Sequence, residues 1–416
     1  MNNGTIQLQK AKSKMIQKKI NSLLQPRHFW RSVDFDELSE IYTSILLRSL
    51  ATSVVGLFIP VYLYGLGYSV RTIFAFFIVF FIARIVIDPL SALIVGRIGP
   101  KHTIALSTIS NIIVLLMLLT MKDLAWPLYL IAITYSLTNS MFFIAFHTDF
   151  SKIKHTKHGG KELGYVTILE KLGGIAGPLI GGVIATIYSP SYTIVLSIVL
   201  FLASLIPLFL TNEPVKVHQK LTLKGFKIRP HSREIASYAC LSAENVISVL
   251  LWNFYLSLAI FVTSPYVKIG TVVAISTALS LLSVQFVGRR VDAKKGRLLL
   301  KRGVIVNCLI HLGRLFVASP VGVLITNILN DPVTVMYRMP FVKQFYDFSD
   351  QVPGYRIVYI AANEMFGNIL KACVWIGLYI ASAYVTDITA IKGAFVFAAI
   401  ISMGIALQPT KVNNQP

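Results

Sequence analysis

Apolar residues in this chain neither recur at the spacing of a single helix face nor alternate as in a half-buried strand. They come in long runs free of charge, such as Ile104–Met121 and Thr193–Leu210. A run of about 18 or more such residues is long enough to cross the hydrocarbon core of a bilayer as a helix. Lipid offers the backbone no hydrogen-bond partners, so spanning segments are helices or closed barrels. Barrel strands would alternate apolar and polar positions over about ten residues, and these runs do not. The pattern predicts twelve spans, near 41–64, 72–95, 102–121, 126–147, 162–187, 190–211, 235–262, 269–287, 303–319, 320–342, 357–385 and 393–408. The expected fold class is an all-α membrane protein.

The polar stretches organise these runs. The longest internal one, Thr211–Glu234, is rich in Lys and Arg and follows the sixth span. It predicts two six-helix bundles, 41–211 and 235–408, with a basic segment 1–40 ahead, a linker 212–234 between and a tail 409–416 behind. The halves repeat each other weakly. Tyr165-x4-Glu170-x2-Gly173 recurs as Tyr359-x4-Glu364-x2-Gly367 at an offset of 194, and Asp149-Phe150-Ser151 recurs as Asp347-Phe348-Ser349 at 198. Such duplication is common in secondary transporters, whose solute sites lie between the repeats near the midplane.

Composition agrees with lipid as the solvent. The chain of 416 residues is 55% hydrophobic and only 14% charged, against about a quarter charged in a soluble domain. A net charge of +21 could suggest nucleic acid, but its placement points elsewhere. Of the 39 Lys and Arg, 29 fall in the termini and the loops after even-numbered spans; four lie after odd-numbered spans and six within spans. That asymmetry places both termini in the cytoplasm of a multi-pass cell-membrane protein, with a secondary attraction to anionic lipid. No cleavable signal is visible, because residues 1–40 are polar and no apolar stretch precedes Ile41. The three cysteines, Cys240, Cys308 and Cys373, sit inside apolar runs and suggest neither disulfides nor a metal cluster.

Two glycine-bearing motifs sharpen the picture. The loop after the second span carries Gly96, Arg97, Gly99 and Lys101, and the loop after the eighth carries Gly288, Asp292, Gly296 and Arg297. The fifth span carries Gly164, Gly173, Gly177, Pro178, Gly181 and Gly182. Gly173, Gly177 and Gly181 recur every four residues and share one helix face, where small residues permit close approach and the proline permits a bend. Twelve spans, a central basic loop, similar halves and these motifs resemble the major facilitator superfamily. The resemblance implies that the loops follow the superfamily pattern G-x-x-x-D-x-x-x-G-R/K and that the fifth span carries its antiporter motif on a gating helix. It also implies two pseudo-symmetric bundles and breakable charge contacts around Asp292. The first-half loop departs from the pattern, with Gly96 where the aspartate is usual. The arginine-bearing fourth-span motif of proton-driven drug exporters has no counterpart, since Ile131–Phe146 contains no Arg.

Ionisable residues within spans are costly and ordinarily face a cavity or a partner. Here they include Arg48, Arg84, Asp88, Glu170, Lys171, Glu244, His311, Arg314, Asp331, Arg338, Glu364 and Lys371. Arg84 and Asp88 stand four apart and can pair. Arg48 and Arg338 lie near the expected cytoplasmic side and can snorkel. Glu170 and Glu364 occupy matching places in the two halves and are the leading candidates for proton coupling or gating, with Asp88, Arg84, Arg48, Glu244 and Asp331 behind them. Arg48, Arg84 or a basic group on another helix is the expected cationic partner of Glu170, and Lys371 a neighbour of Glu364. Trp252, Tyr255, Asn245, Asn368 and Lys371 are candidates to line a solute cavity.

The expected function is alternating-access transport of a small organic solute by a monomer in the lipid bilayer, with the proton as candidate coupling ion and export as candidate direction. Two other classes compete. A transport-fold sensor or scaffold would bind without moving solute. A membrane-embedded enzyme on lipid-linked substrates would need clustered acids, paired histidines or an activated nucleophile, and the chain has no D-D-x-x-D, H-E-x-x-H or G-x-S-x-G. It also lacks a Walker A sequence for ATP-driven pumping. No enzyme activity, cofactor, metal or nucleic-acid partner is expected.

Overall fold

The computed structural model describes residues 35–153, 159–208, 221, 226–352 and 354–409. Most of the basic segment 1–40, most of the linker 212–234 and most of the tail 409–416 therefore lie outside the described residues. Within them the predicted spans are twelve long helices. In the first half these are α1 (Phe35–Val55), α2 (Val70–Ile98), α3 (Pro100–Leu119), α4 (Leu128–Ile153), α5 (Gly159–Ile187) and α6 (Pro190–Leu208). In the second they are α7 (Ser232–Val246), α8 (Pro265–Arg290), α9 (Gly296–Arg314), α10 (Pro320–Asp350), α11 (Arg356–Ala381) and α12 (Asp387–Ile405). A 3-10 turn and a short helix carry α1 on to Gly65, and a π-helical turn, Ile247–Leu251, carries α7 on to Ala259. A second π-helical turn, Val291–Lys295, joins α8 to α9, so the expected loop after the eighth span is helical.

Local chemistry sets the helix ends. Ser69, Ser319 and Thr386 cap α2, α10 and α12 by accepting from the backbone N–H three residues on. Pro100, Pro265 and Pro320 occupy first-turn positions that lack an internal partner. Gly99 alone joins α2 to α3, with a φ of 85° that a residue bearing Cβ adopts only under strain. Ten spans are long and apolar enough to cross a membrane. The other two, α9 and α10, carry Lys301, Arg302 and Arg314, and Asp331, Arg338 and Lys343, along their length. Polarity also displaced the expected bounds of α9, which begins and ends earlier than the apolar run 303–319.

Within the first half α1 packs on α5 and α6, and α4 on α2 and α3; within the second α7 packs on α11 and α12, and α10 on α8 and α9. Two lengthwise seams join the halves: α2 against α11, and α5 against α8. The largest apolar cluster fills the end away from the basic loops. There Trp375 of α11 stacks on Phe77 of α2 with ring centroids 4.5 Å apart.

A candidate solute cavity and the seams that frame it

Between the halves lies a cavity of about 400 Å³, within the range of small-molecule sites. Its titratable lining comes from both halves: His147 of α4, Glu170 and Lys171 of α5, Arg314 of α9, and Asp331 and Arg338 of α10. Glu170 and Arg338 are exposed, and that exposure is to this cavity. Arg338 thus opens into the interior instead of snorkelling. Among the described residues neither Glu170 nor Asp331 forms an ion pair; Asp331 Oδ2 accepts from Thr277 Oγ1 at 3.4 Å. Trp252 lies on the cavity wall. Tyr255 stands behind Trp252, stacked at 5.6 Å, and its hydroxyl donates to the Val317 carbonyl. Asn245 is half-buried and off the wall.

The α2–α11 seam is a chain of buried polar contacts. Arg84 Nη2 donates to Glu364 Oε2 at 3.1 Å, with both side chains almost wholly buried. The other carboxylate oxygen accepts from the Tyr238 hydroxyl of α7 and lies 3.6 Å from His147 Nε2. His147 Nδ1 in turn meets the Tyr346 hydroxyl of α10 at 2.8 Å. On the other flank Arg84 Nε stands 3.9 Å from Asp88, Asp88 accepts from Asn368 Nδ2 at 2.7 Å, and Asn368 accepts from Lys371 Nζ at 3.2 Å. Asn368 and Lys371 therefore belong to this seam and not to the cavity wall. Arg84 turns to Glu364, and Arg48 is neither snorkelling nor near Glu170. Arg48 is buried, donates to Thr108 Oγ1 at 2.8 Å and stacks 3.6 Å above the Phe142 ring.

Absent side chains set how closely α5 packs, on α1 within its own half and on α8 across the second seam. A Cβ on Gly173 would lie 2.5 Å from Ser49 Oγ and 2.7 Å from the Leu50 backbone nitrogen of α1. One on Gly177 would lie 2.5 Å from Ser53 Cβ, and one on Gly181 would collide with the Val54 carbonyl. Gly182 faces the other way, 2.7 Å from the Tyr266 carbonyl of α8, and Gly270 of α8 fits beneath the Pro178 carbonyl. The fifth helix is thus pressed backbone to backbone between α1 and α8, while Gly164 meets Met339 of α10. The repeat is visible here: Gly367 of α11 packs on Ser242 of α7 as Gly173 packs on Ser49. The two glutamates nevertheless diverge. The offset of 194 that aligns them sets Ala278 where Arg84 stands, so Glu170 meets no arginine on α8 and faces the cavity.

Glu244 sits in a third network, wholly inside the second half. Its carboxylate accepts from Ser248 Oγ (2.5 Å), Asn307 Nδ2 (3.1 Å), His311 Nε2 (3.0 Å) and the Tyr337 hydroxyl (2.8 Å). The loop motifs lie at the basic end. Gly96, Gly99, Lys101, Gly288 and Gly296 are buried, and Arg97 and Arg297 are exposed. The side chain of Asp292 lies outside the described residues. Sequence reasoning passed over His147, Tyr238 and Tyr346; a lone histidine in an otherwise uncharged span was the available signal for the first.

The model of the Major Facilitator Superfamily matches residues 41–411. The chain belongs to the major facilitator superfamily. Solved structures agree at the level of the fold. The human organic anion transporter MFSD10 (TETRAN) superposes with a TM-score of 0.65 at 13% identity, over 88% of this chain and 99% of its own. A bacterial homologue of the iron transporter ferroportin, in an outward-facing state with soaked iron, gives 0.62 at 13% over 88% and 98%. The E. coli fucose:proton symporter FucP gives 0.64 at 12% over 89% and 97%. No curated protein matches the chain. As a member of this superfamily it is a multi-pass membrane protein and a secondary transporter for a small-molecule solute.

Proposed function

We propose that this transporter moves a small organic solute by alternating access of the central cavity, with a proton carried by Glu170. The carrying observation is the cavity itself, which takes charged side chains from both halves and lies between two unlike seams. Rocking of one six-helix unit, 41–211, against the other, 235–408, would expose it to either side in turn. The glycine-packed α5 is the sliding surface, and the Arg84–Glu364 contact is a link made in one state and broken in the other. Glu170 suits the coupling role because its carboxylate faces the cavity and has no bonded cation among the described residues. Glu364, bonded to Arg84 and Tyr238, suits gating. The charge asymmetry supports an orientation with both termini cytoplasmic, and we place the transporter in the plasma membrane as a monomer. The names of the structural neighbours span organic anions, iron and fucose, so the fold does not choose the solute.

Counterflow in proteoliposomes tests this. Vesicles preloaded with one member of a panel of organic acids, amines, sugars and amides should take up the labelled form of a transported member. An imposed pH gradient should then drive its accumulation. Binding without flux of any bound member would favour a sensor and sink the transport reading.

A further inference from the structure

The cavity holds more cation than carboxylate, with Lys171, Arg314 and Arg338 against Glu170 and Asp331. Among the described residues none of those three cations pairs with a carboxylate. Arg314 is the most confined. It ends α9, is fully buried, and lies with its guanidinium carbon 4.7 Å above the Trp252 ring. Its Nη1 donates to Ser248 Oγ at 3.3 Å and to His311 Nδ1 at 3.4 Å. Glu244, beyond those two residues, already receives four hydrogen bonds and does not reach the guanidinium. Nε and Nη2 have no acceptor among the described residues. These two N–H groups form one edge of the planar fork, and that edge matches the two oxygens of a carboxylate.

A buried cation with an unanswered edge is costly where water is scarce, yet the surroundings hold this one rigidly. Tyr255 stacks on Trp252 from behind, and the indole N–H of Trp252 donates to Asn327 Oδ1 at 2.8 Å. Trp252 is thus held on its far face and at its indole nitrogen, with Arg314 over its near face. Asp331 shares the cavity wall but makes no ion pair with Arg314 among the described residues. The same cavity presents apolar wall from Leu57, Phe146, Val249, Val273 and Met339, interspersed with the polar side chains of Ser276, Thr277 and Asn330.

We propose that the Nε/Nη2 edge of Arg314 receives the carboxylate of an organic acid whose apolar body fills the cavity. This names the solute class of the transport site and rests on that reading. Arg314 is the binding residue; Trp252 and His311 are positioning residues that fix its plane and occupy its other nitrogen. A lysine could supply the charge but not the two-pronged edge. A neutral amide would offer one oxygen and a second donor, which Arg314 cannot accept from.

The test uses the purified full chain in nanodiscs and matched probes: benzoate, phenylacetate and hexanoate against benzamide, phenylacetamide and hexanamide. Thermal stabilisation reports binding by mass action. At least one carboxylate should stabilise the parent, with its amide weaker by about 10- to 100-fold, the value of charge-assisted bonds lost. Arg314→Gln should remove that preference and Arg314→Lys should reduce it. Lys301→Gln, at an exposed position of the same helix off the cavity wall, should preserve it, which separates loss of the fork from loss of net charge. Equal stabilisation by acid and amide, stabilisation by no carboxylate, or a preference that survives Arg314→Gln would each overturn the proposal. Counterflow of a neutral probe with no carboxylate preference would overturn it while the transport reading stands. Arg314-dependent binding of a carboxylate with no flux would sustain it and sink transport.

Discussion

Removing the Arg84 charge should change which end of the protein is open. In Arg84→Met, Glu364 would keep the Tyr238 hydroxyl and the neighbouring His147 but lose the guanidinium 3.1 Å away. Both partners are nearly inaccessible to water, at 3% and 5% side-chain exposure, so screening does not weaken the pair. Deleting one partner of a buried pair costs about 3–5 kcal/mol, because the other charge is left uncompensated. If the link exists only in the form described here, that cost shifts the equilibrium between forms by about two to three and a half decades. Proton uptake by Glu364 or His147 would return part of it, so the lower figure is the safer expectation. Glu364 lies two turns from the start of α11, in the half of the molecule nearer the basic loops, so the shift should favour opening at that end. Spin labels at Ile98 and Leu298, exposed positions at that end on opposite halves, should report longer distances in Arg84→Met than in the parent. Arg84→Met with Glu364→Gln should recover part of the change, since the stranded charge is gone. A folded Arg84→Met whose distance distribution matches the parent would show that the pair is a static element of both forms.

Three further outcomes follow from the seams and the cavity. Glu170→Gln should abolish pH-driven accumulation of a transported solute yet spare its exchange, because exchange needs alternating access but no titrating carboxylate; normal accumulation would remove Glu170 from the coupling role. Gly177→Val should destabilise the fold by roughly 1–3 kcal/mol or more, since the new side chain meets Ser53 within van der Waals contact, and an unchanged melting temperature in detergent would refute the packing argument. Glu244→Gln should cost about 1–3 kcal/mol of thermal stability without altering which end is open, because its four partners all lie in the second half; a change in the spin-label distances would instead tie this network to gating.

Much of the architecture was legible along the chain. Run length gave the spans because the bilayer imposes one length scale on every helix. Run length served worst at α9 and α10, where charge interrupts the apolar signal: Lys301 and Arg302 at exposed positions of α9, and Asp331 and Arg338 on the cavity wall in α10. The stripe of Gly173, Gly177 and Gly181 was readable as a close-packing face because helical periodicity maps spacing onto direction. The matched glutamates were readable as a pair, but their fates were not. Glu364 is satisfied by Arg84, 280 residues away, and the aligned position on α8 holds Ala278. No local rule reports which distant helix a charge will meet. The same limit hid Arg314: its place in the ninth span is evident from sequence, but that one nitrogen is bonded and two are not depends on Ser248, His311 and Trp252 from three-dimensional packing. Sequence alone determined what each helix must avoid, which is lipid contact for its charges; tertiary structure decided which partner or cavity receives them, because hydrogen bonds are satisfied by neighbours in space.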